Sequence, residues 1–269
     1  MTALIPVSVV VPCFRCLVTL ERAVLSVVGQ TQRPAEMILV DDDSNDGTLE
    51  LLRSIQARYG DWVRVVTLPV NAGAASARNA GWNVAKQPYI AFLDSDDAWH
   101  PQKIEIQLRY MQRNPDVALS GHLCRQMPRT AIEAPAWPVA LTGERDITWT
   151  ALLLVNQFVT PSVMLKRDVA LRFSEGARHM EDHRLWLEIV GAPMRVVKLQ
   201  AELVAVYKPV YGASGLSADM WSMEKAELAN YRYFQGIDKI GTLKMLILQG
   251  YSLVKFIRRL VVIRFISRD

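Results

Sequence analysis

The first hundred residues alternate two patterns that few architectures can accommodate. Short, almost uninterrupted apolar runs at 7–11, 36–40, 63–68 and 89–93 are separated by stretches of helical spacing at 17–28, 49–59 and 74–85. Runs this short and this β-branched suit strands buried on both faces, and their alternation with helices at this interval marks βαβ units. The fold class that follows is α/β, a Rossmann-like, mostly parallel sheet flanked by helices. Ligands bind such sheets beyond the carboxyl ends of the strands. Three polar clusters fall there: the segment 41–46, Asn71-Ala72-Gly73, and Asp94-Ser95-Asp96-Asp97.

The last cluster has the strongest chemistry. An apolar strand that ends in three carboxylates within four positions brings together groups that repel one another and resist desolvation. A divalent cation relieves both difficulties, and hard carboxylate oxygens suit Mg²⁺ or Mn²⁺ held jointly with the phosphates of a substrate. An acidic cap on the helix that follows Pro101 is the plainer explanation of the same residues. The convergence of three clusters on one edge favours a metal–diphosphate site.

Several classes are excluded. No G-x-G-x-x-G follows the first strand and no G-x-x-x-x-G-K-[ST] occurs, so neither the dinucleotide fingerprint nor the P-loop is present. The net charge of +4 is concentrated at the end: from Ile237 onward seven Lys/Arg stand against two Asp, which leaves the body close to neutral. Nucleic acid is therefore not an expected partner. Cys13-x-x-Cys16 has no second cysteine pair to complete a structural zinc site. Both thiols are expected as small buried residues in a reducing compartment. The N-terminus lacks the pattern of a signal peptide.

Beyond Pro115 the alternation fades. The spacing predicts a helix over 101–114, strand-forming sequence at 117–127, an irregular loop over the site at 128–146 and a helix at 147–156. A strand at 161–165 follows, then a helix opening on Glu181-Asp182 and one or two strands in 194–207. An amphipathic helix at 219–234 precedes a basic, apolar helix at 240–266. The longest uncharged run in that last segment, 245–254, is far short of the ~20 residues a spanning helix needs. A helix lying in the membrane interface fits it better than one crossing the bilayer.

In its motifs the chain resembles the family 2 inverting glycosyltransferases of the GT-A fold. The matching pieces are Val9-Val10-Val11-Pro12-Cys13-Phe14, Val40-Asp41-Asp42-Asp43-Ser44-Asn45-Asp46-Gly47-Thr48, and Asn71-Ala72-Gly73 through Ala77-Arg78-Asn79-Ala80-Gly81. Leu93-Asp94-Ser95-Asp96-Asp97-Ala98-Trp99 and Glu181-Asp182 before Trp186 complete them, in the family's order. The resemblance covers about residues 5–210. It implies a glycosyltransferase domain over 1–215, with a donor-binding half to about 115 and an acceptor half from 116, followed by the helical extension at 216–269. It implies a nucleotide-sugar donor of the UDP type and a glycan or lipid-linked acceptor in surface polysaccharide synthesis. Pro12 and Phe14 would border the nucleoside, and Asp41 or Asp42 would bind the base. Arg78 would bind the donor phosphates or order that wall. Asp94 and Asp96 would form the D-x-D element, with Asp96 on Mn²⁺ or Mg²⁺ and Asp94 on the ribose or a metal-bound water, and Asp97 as a helper. Asp182 would be the catalytic base, with Glu181 beside it. The expected location is cytoplasmic, peripheral at the inner face of the membrane through the C-terminal helix.

Two positions depart from the family pattern. Asp43 replaces the usual Gly of the second motif, a substitution Asp tolerates if the turn needs positive φ. The segment 207–217 lacks the His that many relatives place near the metal, so either Lys208 contacts the diphosphate or the metal has one protein ligand fewer. His179 and His183 lie close to the expected base. Two competing readings are a metal-dependent nucleotidyltransferase, which would want a Gly- and Lys-rich loop after the first strand, and a catalytically inactive, membrane-bound assembly partner, which would not need Asp94, Asp96 and Asp182.

Overall fold

The computed structural model describes residues 4–128, 136–207 and 219–266. Its centre is a single mixed sheet. Strands β1 (Ile5–Cys13), β2 (Pro34–Asp41), β3 (Val63–Thr67) and β4 (Tyr89–Phe92) pair in the order β3-β2-β1-β4, all parallel. The βαβ alternation requires this arrangement, because each crossover helix returns the chain to the same end of the sheet. Helices α1 (Leu20–Val28), α2 (Thr48–Tyr59) and α3 (Ala74–Val84) make the crossovers.

The strands are buried on both faces, as their unbroken apolar sequence demands. Val10 of β1 belongs to one core with Trp82 of α3, whereas Val9 and Val11 belong to the other with Leu20 and Val24 of α1 and Leu52 of α2. Gly81 explains itself here. A Cβ at that position would lie 2.4 Å from Val10 Cγ1, so the Arg78-Asn79-Ala80-Gly81 turn of α3 can seat on β1 only without a side chain.

The second half is less regular. Beyond α4 (Lys103–Arg113) the chain forms β6 (Val117–Gln126), one long strand, and β9 (Arg195–Val206), which lies parallel to it. β8 (Met164–Lys166) joins the two halves of the sheet by pairing antiparallel with both β4 and β6. Two short strands had no signal in the sequence: β5 (Ala98–Trp99), inside the acidic motif, and β7 (Glu144–Asp146), inside the expected loop. Both pair antiparallel with β9. The strand expected at 161–165 starts later than its pattern suggests. Residues Thr160–Ser162 form a 3-10 turn, with Pro161 lacking an N–H for a ladder and its carbonyl accepting the Trp99 indole N–H at 2.8 Å.

Helices α5 (Trp149–Leu154) and α6 (Glu181–Gly191) cover one face, and the C-terminal pair α7 (Met220–Gly236) and α8 (Thr242–Ile266) packs beside them. Tyr231 and Phe234 of α7 and Leu248 of α8 share the core that contains Trp186 of α6. Among the described residues no helix is long and apolar enough to cross a membrane.

The tight seat of α3 makes a direct prediction. Gly81→Ala should lower the unfolding free energy by about 1–3 kcal/mol, the cost of overpacking a close helix–strand contact, as measured by denaturant titration. Wild-type stability in that variant would mean that α3 can move off β1 freely.

Candidate active site

The carboxyl ends of β1, β2 and β4 open into a cavity of about 1090 Å³. It is large beside ordinary ligand pockets of about 300–1,000 Å³. Pro12, Phe14 and Asp42 line one side, Asp94, Asp96 and Asp97 the floor, and Asn156, Thr160, Glu181 and Asp182 the far side.

The second motif folds as a loop pinned to its neighbours. Asp42 is buried and accepts the backbone N–H groups of Ala72 and Gly73 at 2.8 Å each, together with the Asn71 amide at 3.0 Å. The first two polar clusters are thus one hydrogen-bonded unit. Asp41 is also buried but does not line the cavity, and its carboxylate accepts the Ser44 hydroxyl at 2.5 Å. Asp43 takes a left-handed φ of 57°, the conformation for which Asp is a tolerable stand-in for Gly.

Arg78 joins the floor to the far side. It projects from α3, is 5 % exposed, and donates to Asp94 at 2.8 Å and to Glu181 at 3.1 Å. Burial works against its charge, but Asp94 and Glu181 outweigh that cost and hold the guanidinium protonated. The Phe173 ring lies 5.4 Å from it. Asn79, the next residue, donates to the Phe173 carbonyl and accepts its N–H, fixing the segment that leads into α6.

Glu181 and Asp182 occupy the first turn of α6, where the helix dipole favours negative charge. The turn is set by Met180, a non-glycine residue at φ 56°, whose carbonyl accepts the Asn230 amide of α7 at 3.2 Å. One oxygen of Asp182 accepts the His183 N–H at 2.6 Å, and the other faces Asn156 and Thr160, each at 3.3 Å. Burial raises the proton affinity of both carboxylates above the ordinary range. Asp182 raises Glu181 further, and Arg78 partly offsets both. His183 turns away from the cavity: it is buried, and its Nε2 lies 2.7 Å from the Leu152 carbonyl. His179 lines the cavity.

One carboxylate oxygen each from Asp94, Asp96 and Asp97 lies within 4.8 Å of the others, the one such cluster among the described residues. Three hard anionic donors in the lining of the cavity fit a divalent cation such as Mn²⁺ or Mg²⁺. Their frame is braced: Arg22 of α1 donates to the Asp96 carbonyl at 2.6 Å and stacks 3.5 Å from the Tyr207 ring, and the Tyr207 N–H donates to Asp97 at 3.3 Å. Lys208 lies outside the described residues.

Sequence reasoning found the acidic residues and Arg78 but missed Arg22, Asn156, Thr160 and Arg178, which donates to Asn71 at 3.3 Å. Arg22 sits on an ordinary amphipathic helix, Asn156 lies at the end of the stretch expected as a helix, just beyond where α5 stops, and Thr160 and Arg178 come from segments without periodic pattern.

Comparison with known proteins gives a consistent picture. The family model described as Glycosyl transferase family 2 matches residues 8–169. The chain is 31% identical over 185 residues to the Escherichia coli UDP-Glc:alpha-D-GlcNAc-diphosphoundecaprenol beta-1,3-glucosyltransferase WfgD, covering 68% of this chain and 69% of that one. Among solved structures it resembles the mannosyltransferase PcManGT of Pyrobaculum calidifontis in complex with GDP-Man and Mn²⁺. That match has a TM-score of 0.65 and 15% identity, and it covers all of this chain and 82% of the other. Staphylococcus aureus TarS in complex with UDP-GlcNAc gives a TM-score of 0.64 and 16% identity, covering 94% and 81%. At these identities the structural matches speak to the fold, which is that of GT-A glycosyltransferases.

Arg78→Met should remove about 3 kcal/mol of stability, because it leaves buried Glu181 and half-buried Asp94 without their shared cation. Part of the loss should return at acidic pH: the uncompensated carboxylates bind protons more tightly in the folded than in the unfolded chain, so folding gains as the pH falls. Thermal unfolding across pH measures this. A pH-independent loss would show that Arg78 acts by packing alone.

Proposed function

The chain belongs to glycosyl transferase family 2 and is a glycosyltransferase, and on that premise we propose an inverting transfer from a UDP-sugar to a lipid-linked acceptor in surface polysaccharide synthesis. The observation that carries this reading is the bridge made by Arg78. One buried guanidinium separates the carboxylates suited to a metal–diphosphate from the carboxylates suited to proton removal. Donor and acceptor chemistry then meet across a single side chain.

In this reading Pro12 and Phe14 flank the nucleoside and Asp42, already oriented by three donors, presents its remaining acceptor capacity to the base. Asp41 acts behind it through Ser44. Asp94 and Asp96, with Asp97, would hold Mn²⁺ or Mg²⁺, which when bound would supply positive charge to the leaving diphosphate. Asp182 removes the proton of the acceptor hydroxyl as that oxygen attacks the anomeric carbon from the face opposite the diphosphate. Its raised proton affinity makes it a stronger base than an exposed carboxylate, and Asn156 and Thr160 hold the oxygen that receives the proton. Glu181 anchors Arg78, and Arg78 keeps the negative groups of both halves compatible in one cavity. The E. coli relative named above acts on a diphosphoundecaprenol-linked sugar, which supports an acceptor of that class here.

The C-terminal helix fits a membrane-surface partner. Leu243, Leu246, Ile247, Val254, Ile257 and Val261 of α8 are exposed and recur at helical spacing along one side, next to exposed Lys244 and Arg258. Exposed Trp221 of α7 packs on Phe256 beside that stripe. Not all the basic residues face outward. Lys255 pairs with Glu227 at 2.9 Å and Arg259 with Glu224 at 3.5 Å, so these two fasten α8 to α7. The proposed location is peripheral, on the inner face of the membrane.

Two experiments test these assignments. In the first, UDP binding is measured calorimetrically with and without Mn²⁺, beside turnover. Asp96→Ala should weaken metal-dependent binding, whereas Asp182→Asn should leave binding nearly intact and cut turnover by a factor on the order of 10²–10⁴. Because the base acts deprotonated, wild-type kcat/KM should fall on acidification at a pH above the ordinary Asp range. Equal loss of binding in both variants would undo the division of roles. In the second, the protein should sediment with anionic phospholipid vesicles. Reversing Lys244 and Arg258 to Glu should weaken that binding by about 1 kcal/mol or more per site. Binding unaffected by lipid charge and by both reversals would refute the interfacial role.

A further inference from the structure

We propose that Lys255 of α8 is a positioning residue for the transfer reaction: with His183 and Tyr231 it caps the C-terminal end of α5 and so holds Asn156 against Asp182. The catalytic part of this proposal rests on Asp182 as the base, as assigned above; the clamp itself does not.

Helix α5 has six residues, too few to hold its shape alone. The last carbonyls of a helix have no partner within it. The Ala151 carbonyl accepts the Val155 N–H at 3.2 Å, which leaves those of Leu152, Leu153 and Leu154. Each of the three meets a side chain from a different helix. His183 Nε2 of α6 lies 2.7 Å from the Leu152 carbonyl, and the Tyr231 hydroxyl of α7 lies 3.0 Å from that of Leu153. Lys255 Nζ of α8 donates to the Leu154 carbonyl at 2.9 Å, a cation at the end of a helix where cations are favoured. A carbonyl only accepts, so Nε2 of His183 carries the ring proton, and burial disfavours a second one.

One carboxylate ties two of these caps together. Glu227 Oε1 of α7 accepts Lys255 Nζ at 2.9 Å and lies 2.8 Å from the Tyr231 hydroxyl. Burial works against the Glu227 charge, but Lys255 and Tyr231 outweigh that cost and favour its ionised form. Lys255 is thus fixed between a carboxylate of α7 and a carbonyl of α5.

The consequence falls two residues beyond α5. Asn156 Oδ1 accepts the Phe158 N–H at 3.2 Å, which turns Nδ2 toward Asp182, 3.3 Å away. Asp182 in turn precedes His183, which caps Leu152 with its ring and donates its N–H to Asp182 at 2.6 Å. Asp182 and its amide partner are therefore both held from the same end of α5. The residues flanking Lys255 on α8 point elsewhere, for Val254 and Ile257 are exposed. Arg259 supplies a control within the same helix. It also fastens α8 to α7, through buried Glu224 at 3.5 Å, but among the described residues it meets no carbonyl of α5.

The test compares Lys255→Met, Lys255→Arg, Arg259→Met, Asn156→Ala and the double variant Lys255→Met/Asn156→Ala in the full chain. Should Lys255→Met not fold, it is combined with Glu227→Gln, which leaves no buried charge uncompensated. Turnover is read as UDP released from UDP-glucose with GlcNAc-diphosphoundecaprenol, the pair on which the E. coli relative acts. UDP affinity is measured calorimetrically, and amide hydrogen exchange is followed over residues 152–160 and 181–185. Lys255→Met should lower kcat by about ten- to a hundredfold, as displacement of a catalytic contact does. UDP affinity should stay unchanged and exchange in both segments should quicken. Lys255→Arg keeps a cation between the two acceptors and should hold kcat near wild type. Arg259→Met should lower stability but leave kcat and these exchange rates unchanged. The kcat losses from Lys255→Met and Asn156→Ala should not add in the double variant, because both act through one contact. Full activity in Lys255→Met, additive losses, or an equal kcat loss in Arg259→Met would overturn the proposal. If wild type releases no UDP, or Asp182→Asn keeps full turnover, the reading of substrates or base falls instead, and exchange decides the clamp. Faster exchange in Lys255→Met alone sustains it, and equal exchange in Lys255→Met and Arg259→Met removes it.

Discussion

The buried guanidinium of Arg78 is the interaction on which the site depends. Asp94 comes from the end of a central strand and Glu181 from the first turn of a helix about a hundred residues later. Neither carboxylate could be held in the same cavity without a cation between them, since burial penalises each charge and proximity adds repulsion. Arg78 resolves both with one side chain, and the planar fork of Arg suits two acceptors in different directions better than an ammonium would. Its own position is secured from below by Gly81, which lets α3 rest on β1, and from the side by Asn79, which binds both backbone groups of Phe173.

From that contact outward, rigidity and strain are divided. The side that carries Asp42 and the Asp94–Asp97 loop is locked by hydrogen bonds to backbone groups: Asp42 to the 72–73 amides, the Asp96 carbonyl to Arg22, and Asp97 to the Tyr207 N–H. The opposite side is held by fewer and longer bonds. Asp182 meets Asn156 and Thr160 at 3.3 Å, and the turn before it depends on a left-handed Met180 secured by Asn230. A carboxylate with its proton affinity raised by burial costs folding stability, a common arrangement at functional sites. The link through Asn230 also ties the first turn of α6 to α7, and so to α8, which shares its core.

Much of this was legible in the chain. The parallel half of the sheet followed from four apolar runs, because only strands buried on both faces tolerate such sequence. The acidic clusters announced themselves by interrupting those runs at the end where ligands bind. Family resemblance supplied the order of the motifs, and the family model and relatives agree with it. Whether the turn at Asp43 needs positive φ was not legible in the sequence; it does, and Asp tolerates that conformation. Local pattern failed wherever structure depends on a distant partner. β5 and β7 are two and three residues long and exist only because β9 offers them an edge. The inward pairing of Lys255 and Arg259 could not be told from the outward exposure of Lys244 and Arg258, since all four lie on one basic helix.

The sequence by itself determined the fold class and the end of the sheet at which the acidic clusters gather, because composition and periodicity along short stretches state both directly. Asp182 was singled out by resemblance to the family 2 motifs, since a Glu-Asp pair opening a helix has by itself the look of an ordinary acidic first turn. Tertiary structure alone decided which charges share a cavity. It joined Asp94, Arg78 and Glu181 into one ion cluster and brought Asn156 and Thr160 to Asp182. Those relations arise from long-range packing across β1, α3 and α6, and Coulomb and hydrogen-bond terms depend on distances that no local pattern encodes.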